Sequence, residues 1–418
     1  MSHEENKALL ERQEASYSPL LEKWAPVLND PLSEEIQTTH RKKVTARLLE
    51  NTEEYLKEAS NVTSGVQGWD PVLIGLVRRA APKLIAYDIM GVQPMNMPTG
   101  LAFALKAHAA QTPPNGGPQS GPEILGLDEA DTSYGGTGTH NLDDPFDPAY
   151  STGTGKATAA GETDAWNSVG VTIEKTSIAA VTSQLRTDYS LELAQDMKRV
   201  HGLDADAELI NITSTELIAE INRQAVRTVY SAAKLGAQFA STPGTFDLNA
   251  DSDGRWSAER FKGLLFAIER DANRVAIESR RGKANILIVS SDVASALVMA
   301  GLLDYAPALQ ASQNLEVDAT GATYVGTAGR FRVFLDPYLG VDAYFTLYKG
   351  ANAYDAGLFY HPYLPLELAR ATDPTNFHNA LGFKTRYAFS ENPFVGNNSN
   401  IRNRQNYYIR GAKVTNIM

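Results

Sequence analysis

The sequence predicts an α+β chain organised around one long helix, and three observations carry that expectation. From Asp204 to Ala233 no glycine or proline interrupts the run. Within it Ile210, Leu217, Ile221, Ala225 and Val229 fall on one stripe of helical spacing, which Leu209, Ile212, Ala219, Val226 and Tyr230 widen. Short apolar runs elsewhere, such as Asn285 to Ser290 (NILIVS) and Phe383 to Phe389 (FKTRYAF), read as strands. The 32 Gly and 18 Tyr favour loops, strands and interfaces over an all-helical chain.

The long helix has its own start signal. Asp204 is placed as N-cap, and Asp206 and Glu208 put negative charge in the first turn, where the helix dipole favours it. At about 1.5 Å per residue the helix is about 45 Å long, enough for several domains to lean on. The 418 residues allow about three domains, and 43% hydrophobic content is enough to bury a sizeable core. No apolar run is long enough to span a bilayer. The N-terminal MSHEENKALLERQEASY lacks the basic flank and apolar centre of a secretion signal, so cytoplasmic synthesis is expected. Absence of cysteine removes disulfides, thiolate catalysis and Cys-based metal sites. A net charge of −11 argues against a surface that grips nucleic acid by counterion release.

In chain order, Asn6 to Glu14, Ser18 to Leu28 and Ser33 to Lys57 are amphipathic and helical in pattern, separated by Pro19, Pro26 and Pro31. Their mixed charge suggests a solvated helical arm. Ala59 to Gly68 is small and polar, as in an arm. Pro71 to Arg79 reads as a short apolar helix, Leu84 to Val92 as strand-like, and Pro94 to Gly100 as a turn. Leu101 to Lys106 and Val171 to Thr182 alternate, and are expected to form the two sides of a long antiparallel hairpin around the irregular span Gln111 to Gly170. Ser190 to Val200 is a short helix. Ser257 to Arg281 is a second amphipathic helix with Phe261, Leu264, Leu265, Ile268 and Val275 on its apolar face. Ser291 to Leu302 is helical. Arg330 to Leu335, Ala343 to Tyr348, Gly357 to Tyr360 and Asn406 to Arg410 are strands.

The chemical motifs are weak. Asp204, Asp206 and Glu208 splay around a helix and are better explained as capping than as a metal cluster. Asn249-Ala-Asp251-Ser-Asp253-Gly254 matches the first half of a calcium loop, but the twelfth position is Arg260 instead of a bidentate Glu. Gly135-Gly136-Thr137-Gly138 has no Lys-Ser/Thr after it and no buried strand before it, so it is not a phosphate loop. The seven His are scattered, and His201 before Gly202 reads as a helix C-terminal cap. No serine lies in a Gly-x-Ser-x-Gly elbow. Carboxylate pairs such as Asp143-Asp144 fall in loops. No catalytic residue, cofactor or metal ligand is expected.

Longer blocks carry more information. LVRRAAPKLIAYDIMGVQPMNMPTGLAFAL (Leu76 to Leu105), YSLELAQDMKRVHGLDADAEL (Tyr189 to Leu209), RWSAERFKGLLF, GRFRVFLD, DAGLFYHPY and GFKTRYAFSENP resemble, in order and spacing, the major capsid proteins of T-even-type tailed bacteriophages. The resemblance covers about Leu56 to Pro393. It implies the tailed-bacteriophage major capsid fold, with N-arm, extended loop, long spine helix, peripheral domain and axial domain. The corresponding division is 1–58, a helical segment removed on maturation; 59–100, the N-arm and start of the peripheral domain; 101–188, the extended loop with a reduced insertion; 189–254, spine helix and peripheral domain; 255–350, axial domain; and 351–418, a return to the peripheral domain. In the family a prohead protease cuts after Glu in an Ile/Leu-x-Glu triplet, which is similar to Leu56-Lys57-Glu58 followed by Ala59. Further triplets end at Glu11, Glu22, Glu34 and Glu50, and would allow the released piece to be cut again; Leu127-Asp128-Glu129 and Ile218-Ala219-Glu220 also fit. The implied function is structural: hexameric capsomers forming an icosahedral head, with a scaffold protein, the protease, and vertex and portal proteins as partners, enclosing DNA without sequence-specific binding. The rival expectations are a pentameric vertex protein and an encapsulin-like compartment shell.

Overall fold

The computed structural model describes residues 17–29, 38–59, 84–110, 123–124, 130–140, 145–163, 167–252, 254, 256–301, 303–305, 323–352, 355–372, 378–395, 401 and 404–417. The first part of the chain forms helices α1 (17–28), α2 (Thr39–Ala59) and α3 (Ala86–Ile89), then strands β1 (Gly91–Val92), β2 (Thr99–Ala110) and β3 (Glu123–Ile124). Next come α4 (Thr158–Thr163), β4 (Ser168–Ala179), β5 (Val181–Tyr189), α5 (Leu191–Asp196), a π-helical turn (Met197–His201) and the long α6 (Ala205–Ala232). Beyond it lie β6 (Ala233–Leu235), β7 (Thr245–Asp247), α7 (Ser257–Ser279), β8 (Ile286–Val289), α8 (Ser291–Met299) and β9 (Leu303–Tyr305). The chain closes with β10 (Thr323–Ala328), β11 (Phe331–Leu335), β12 (Ala343–Leu347), β13 (Leu358–Thr372), β14 (Asn379–Glu391) and β15 (Asn406–Thr415).

Helix α6 bridges two sheets. Asp204 caps it by accepting from the Asp206 amide, and Asp206 and Glu208 occupy its first turn. Its early residue Leu217 packs with Leu366, Leu381 and Phe383 of the four-stranded sheet β1-β13-β14-β5. Farther along, Ala225, Val226 and Val229 pack with Ile286, Ile288 and Phe334 of the larger sheet β6-β15-β12-β8-β11-β10-β9, in which β7 also pairs with β15. Strand β8 shows why that sheet lies between layers. Ile286 and Ile288 face α6, whereas Leu287 and Val289 join the core beneath α7 and α8. A four-residue run buried on both faces is the expected signature of such a central strand. One ionic joint fastens α6 to the larger sheet. Arg223 Nη1 donates to both carboxylate oxygens of Asp336 at 2.7 Å, and the Tyr230 hydroxyl donates to the same group at 2.5 Å.

Several elements differ from the sequence reading. Leu84 to Val92, expected as a strand, contains the single turn α3 and only two strand residues; an apolar run of this length does not distinguish helix from strand. Strand β13 continues for 15 residues instead of ending at Tyr360. Register shifts at Pro362/Leu364 and Leu364/Glu367 accommodate Pro362 and Pro365 within it as bulges. His201 is not a cap: Gly202, at φ 68, closes the π-helical turn, donating its amide to Met197. Strands β13 and β14 join the four-stranded sheet and β15 the larger one, where it pairs with β12. The expected helix at Asn6 to Glu14, the polar arm after Ala59 and the helix at Pro71 to Arg79 lie outside the described residues, as do Asp143-Asp144 and Leu127-Asp128-Glu129.

Buried His361 ties β13 to its neighbours. Its Nδ1–H donates to the Gln93 carbonyl at 3.2 Å, and its Nε2 accepts from Ser390 Oγ at 2.8 Å. Burial pushes the imidazole down to about 4. Since the folded value lies below the unfolded one, the stability it contributes is complete above about pH 6.5 and is lost as pH falls toward 4. Glu391, pushed up to about 7 by burial, acts in the opposite direction over an overlapping window. Comparing wild type with His361→Gln isolates the histidine. Wild type is expected to lose about 3 kcal/mol more than the variant between pH 6.5 and 4, read from thermal unfolding.

Candidate assembly surfaces

Strands β2 and β4 pair without interruption from Thr99↔Ala179 to Ala110↔Ser168, forming the expected hairpin. Its base is held by a small cluster of Met95, Ile178 and Ala388. Strand alternation puts Leu101, Phe103 and Leu105 on one face, with Ile173 directly opposite Leu105 and Val171 and Val169 following. Phe103 is 63% exposed and Ile173 69%, and the other four are exposed too. Strand β3 pairs with β2 only at Ala107 and His108, so over Thr99 to Lys106 the ribbon is two-stranded, and such a ribbon is marginal in water without a surface to pack on. A continuous apolar face of this kind marks a contact surface.

A second surface lies on the outer side of α7. The Arg270 guanidinium sits 3.9 Å from the Phe239 ring centre and 5.8 Å from that of Phe266, while Arg274 lies 4.9 Å from Phe239. Both rings are more than half exposed, as is Ile277. Desolvating such cation–π pairs strengthens them. The sequence reading missed this patch, although Phe266 lies off the apolar face defined by Phe261, Leu264 and Ile268, with Arg270 one turn later.

The N-terminal segment is the third feature, and it is docked instead of solvated on all sides. Val44 and Leu48 of α2 enter the main core beside Leu84, Ile218 and Tyr360. Ala46 and Leu49 face the other way and pack beneath Trp24 and Leu28 of α1. Polar contacts fix the position. Asn51 Nδ2 donates to the Met95 and Tyr363 carbonyls at 2.7 and 2.9 Å. Arg47 reaches Asn96 at 2.7 Å, and Arg41 pairs with Asp88 at 3.2 Å. Lys23 and Trp24 of α1 hold Glu50, at 2.8 and 3.0 Å. Mixed charge suggested a solvated arm, but two opposed apolar faces on one helix require two partners. Leu56, Glu58 and Ala59, the expected cleavage site, fall in the last turns of α2.

The weaker motifs resolve into structural roles. Asp204 caps α6, and Asp206 accepts from the Tyr189 hydroxyl at 2.8 Å and pairs with Arg370. In the calcium-like turn, Asp251 accepts from the Ser241 and Asp247 amides, while Arg260 donates to Asn249 and to the Gly254 carbonyl. A guanidinium thus occupies the Asn249 oxygen, the first ligand position of the calcium-like loop. Gly136 closes a loop against Thr154, whose carbonyl lies where a Cβ would stand, and Thr137 and Thr154 form a bridge. Among the described residues, no group of three His, Cys, Asp or Glu is arranged to hold a metal ion, and no helix is long and apolar enough to cross a membrane.

Known proteins resemble this chain over most of its length. Residues 66–414 match the family model described as Major capsid protein Gp23. The major capsid protein of Serratia phage KSP90 is 42% identical over 398 residues, 89% of each chain. That of Enterobacteria phage T4 is 34% identical over 480 residues, covering 90% of this chain and 92% of its own. Among solved structures, the capsid of myovirus phage XM1 is similar at TM-score 0.41 and 10% identity, over 86% of this chain and 97% of that one. The chain is therefore a structural protein of the phage capsid and not an enzyme: it belongs to the Gp23 family of major capsid proteins.

Proposed function

We propose that the subunit assembles as hexamers into an icosahedral head, around a scaffold protein in the host bacterial cytoplasm, and that a prohead protease then removes residues 1–58. Vertex and portal proteins complete the shell, which encloses double-stranded DNA. The observation that carries the hexameric reading is the hairpin. Its exposed apolar face needs a partner, and a second copy supplies one at every position of a closed ring. On this reading the four-stranded sheet and the first half of α6 form the peripheral part. The larger sheet with α7 and α8 forms the axial part, and the Phe239–Arg270–Phe266 patch adds a second contact between copies. Each contact can be weak, because many are made at once. The charge of −11 suits a wall that does not adsorb the genome.

The position of Glu58 at the end of α2 supports the cleavage reading, since helix ends open before helix middles. Intact mass and N-terminal sequencing of the protein from DNA-filled particles test it. An N-terminus at Ala59 is expected; full-length chain in such particles would rule the cleavage out.

A further inference from the structure

We infer that His40 makes the start of α2 a pH-sensitive latch: with a neutral ring the first turns of α2 stay seated on the body, and with a charged ring they lift. The latch begins with charges placed at the wrong end of a helix. His40, Arg41, Lys42 and Lys43 follow Thr39 directly, and the first turn holds no acidic residue. A helix N-terminus favours negative charge, so each cation there works against the dipole.

The body meets this cluster with one carboxylate and two further cations. Arg41 Nη2 donates to both oxygens of Asp88 in α3, at 3.2 and 3.3 Å, and its guanidinium lies 5.3 Å from the Tyr87 ring centre. The Asp88 backbone carbonyl accepts from Arg332 of β11 at 3.5 Å, and the Tyr87 carbonyl accepts from Lys349, two residues beyond β12. Lys42 reaches Asn29, just past α1, at 3.0 Å, so the same turn also ties α1 to α2. His40 sits among these groups. It is half-buried, and its Nε2 is buried with no hydrogen-bond partner among the described residues. A neutral imidazole can leave a lone pair there. An imidazolium must place an N–H there with no acceptor, beside cations. Burial lowers the imidazole, and the charges of Lys349, Lys43 and Arg41 lower it further, while a hydrogen bond with the Val92 backbone of β1 opposes them. Lys349 is itself pulled down by burial, to about 8, so it is largely charged at pH 7 and below.

The folded value of His40 lies below the unfolded one. The contribution of the neutral ring to docking is therefore complete above about pH 6.5 and is lost as pH falls through the folded value. Farther along, Val44 and Leu48 in the core and the two bonds of Asn51 hold the helix without a titrating group. The opening is thus local to the first turns, where it breaks the Arg41–Asp88 pair and the link to Asn29.

Hydrogen exchange of the full-length chain, read by mass spectrometry over the amides of Lys42 to Thr45, tests the latch. Wild type and His40→Gln are compared at about pH 7 and about pH 5.5, so intrinsic exchange rates and the titration of His361 and Glu391 cancel at each pH. At the lower pH these amides are expected to open at least about threefold more often in wild type than in the variant, with no difference at the higher pH. His40→Lys, charged throughout, is expected to open them at both. Exchange over 217–229 of α6 should be the same in all three chains, which separates a local lift from general unfolding. An equal pH response in wild type and His40→Gln would overturn the inference, as would protected first turns in His40→Lys at pH 7.

Discussion

Phe103→Asp is expected to give a folded, soluble subunit that forms no shells. The ring is 63% exposed in the single chain, so its loss removes little burial from the subunit and the thermal midpoint should hardly move. At an interface the same change is severe. A carboxylate desolvated there without a partner costs about 3 kcal/mol or more per contact, roughly a hundredfold in affinity. On the proposed hexameric reading the contact recurs in every ring, so the penalty multiplies through the shell. Ile173→Asp, on the facing strand beside Leu105, should behave alike, and Phe103→Tyr should assemble. Sedimentation and negative-stain microscopy read the result. Normal particles from both aspartate variants would show that this face is not a contact between copies.

How much of this was legible beforehand depends on where the information sits. The long helix was readable because propensity, capping and apolar stripe agree within one stretch, and its bounds match the expectation to one residue at each end. The hairpin was readable because its strands alternate; its apolar face follows from that alternation, but the exposure of that face among the described residues does not. Strand β13 runs beyond Tyr360 through Pro362 and Pro365, and only the pairing with β14 reveals the bulges that accommodate them. The docking of α2 was hidden for a different reason. Its partners, Met95, Tyr363 and Ile218, are distant in sequence, and a carbonyl accepting from Asn51 leaves no trace in side-chain identity. The Phe239–Arg270 contact likewise joins a loop to a helix about thirty residues away, beyond any local periodicity.

Removing the carboxylate at Asp336 is expected to cost the most stability of any single change outside the apolar core. Asp336 follows β11 directly and its side chain is fully buried, whereas Arg223 is 25% exposed. The group accepts two bonds from Arg223, one from the Tyr230 hydroxyl and one from the Tyr338 amide at 3.0 Å. Burial, with the Asp336 charge adding to it, raises the Tyr230 hydroxyl well above the usual phenol range, so it stays a donor. In Asp336→Ala both the guanidinium and the phenol lose their acceptor inside the joint, at a cost of about 3–5 kcal/mol. Asp336→Asn keeps the shape and one acceptor oxygen and should cost less. The effect should be non-additive with Arg223→Ala, because each change removes the same bond; a double-mutant cycle by denaturant unfolding measures the coupling. The joint also bears on assembly. Helix α6 meets the four-stranded sheet at one end and the larger sheet at the other, and Arg223 and Tyr230 are where it grips the second. Loosening that grip while leaving both sheets intact should broaden the distribution of particle shapes before it abolishes particles. A sharp unfolding transition with uniform particles in Asp336→Ala would show that apolar packing by Ala225, Val226 and Val229 holds the two parts together alone.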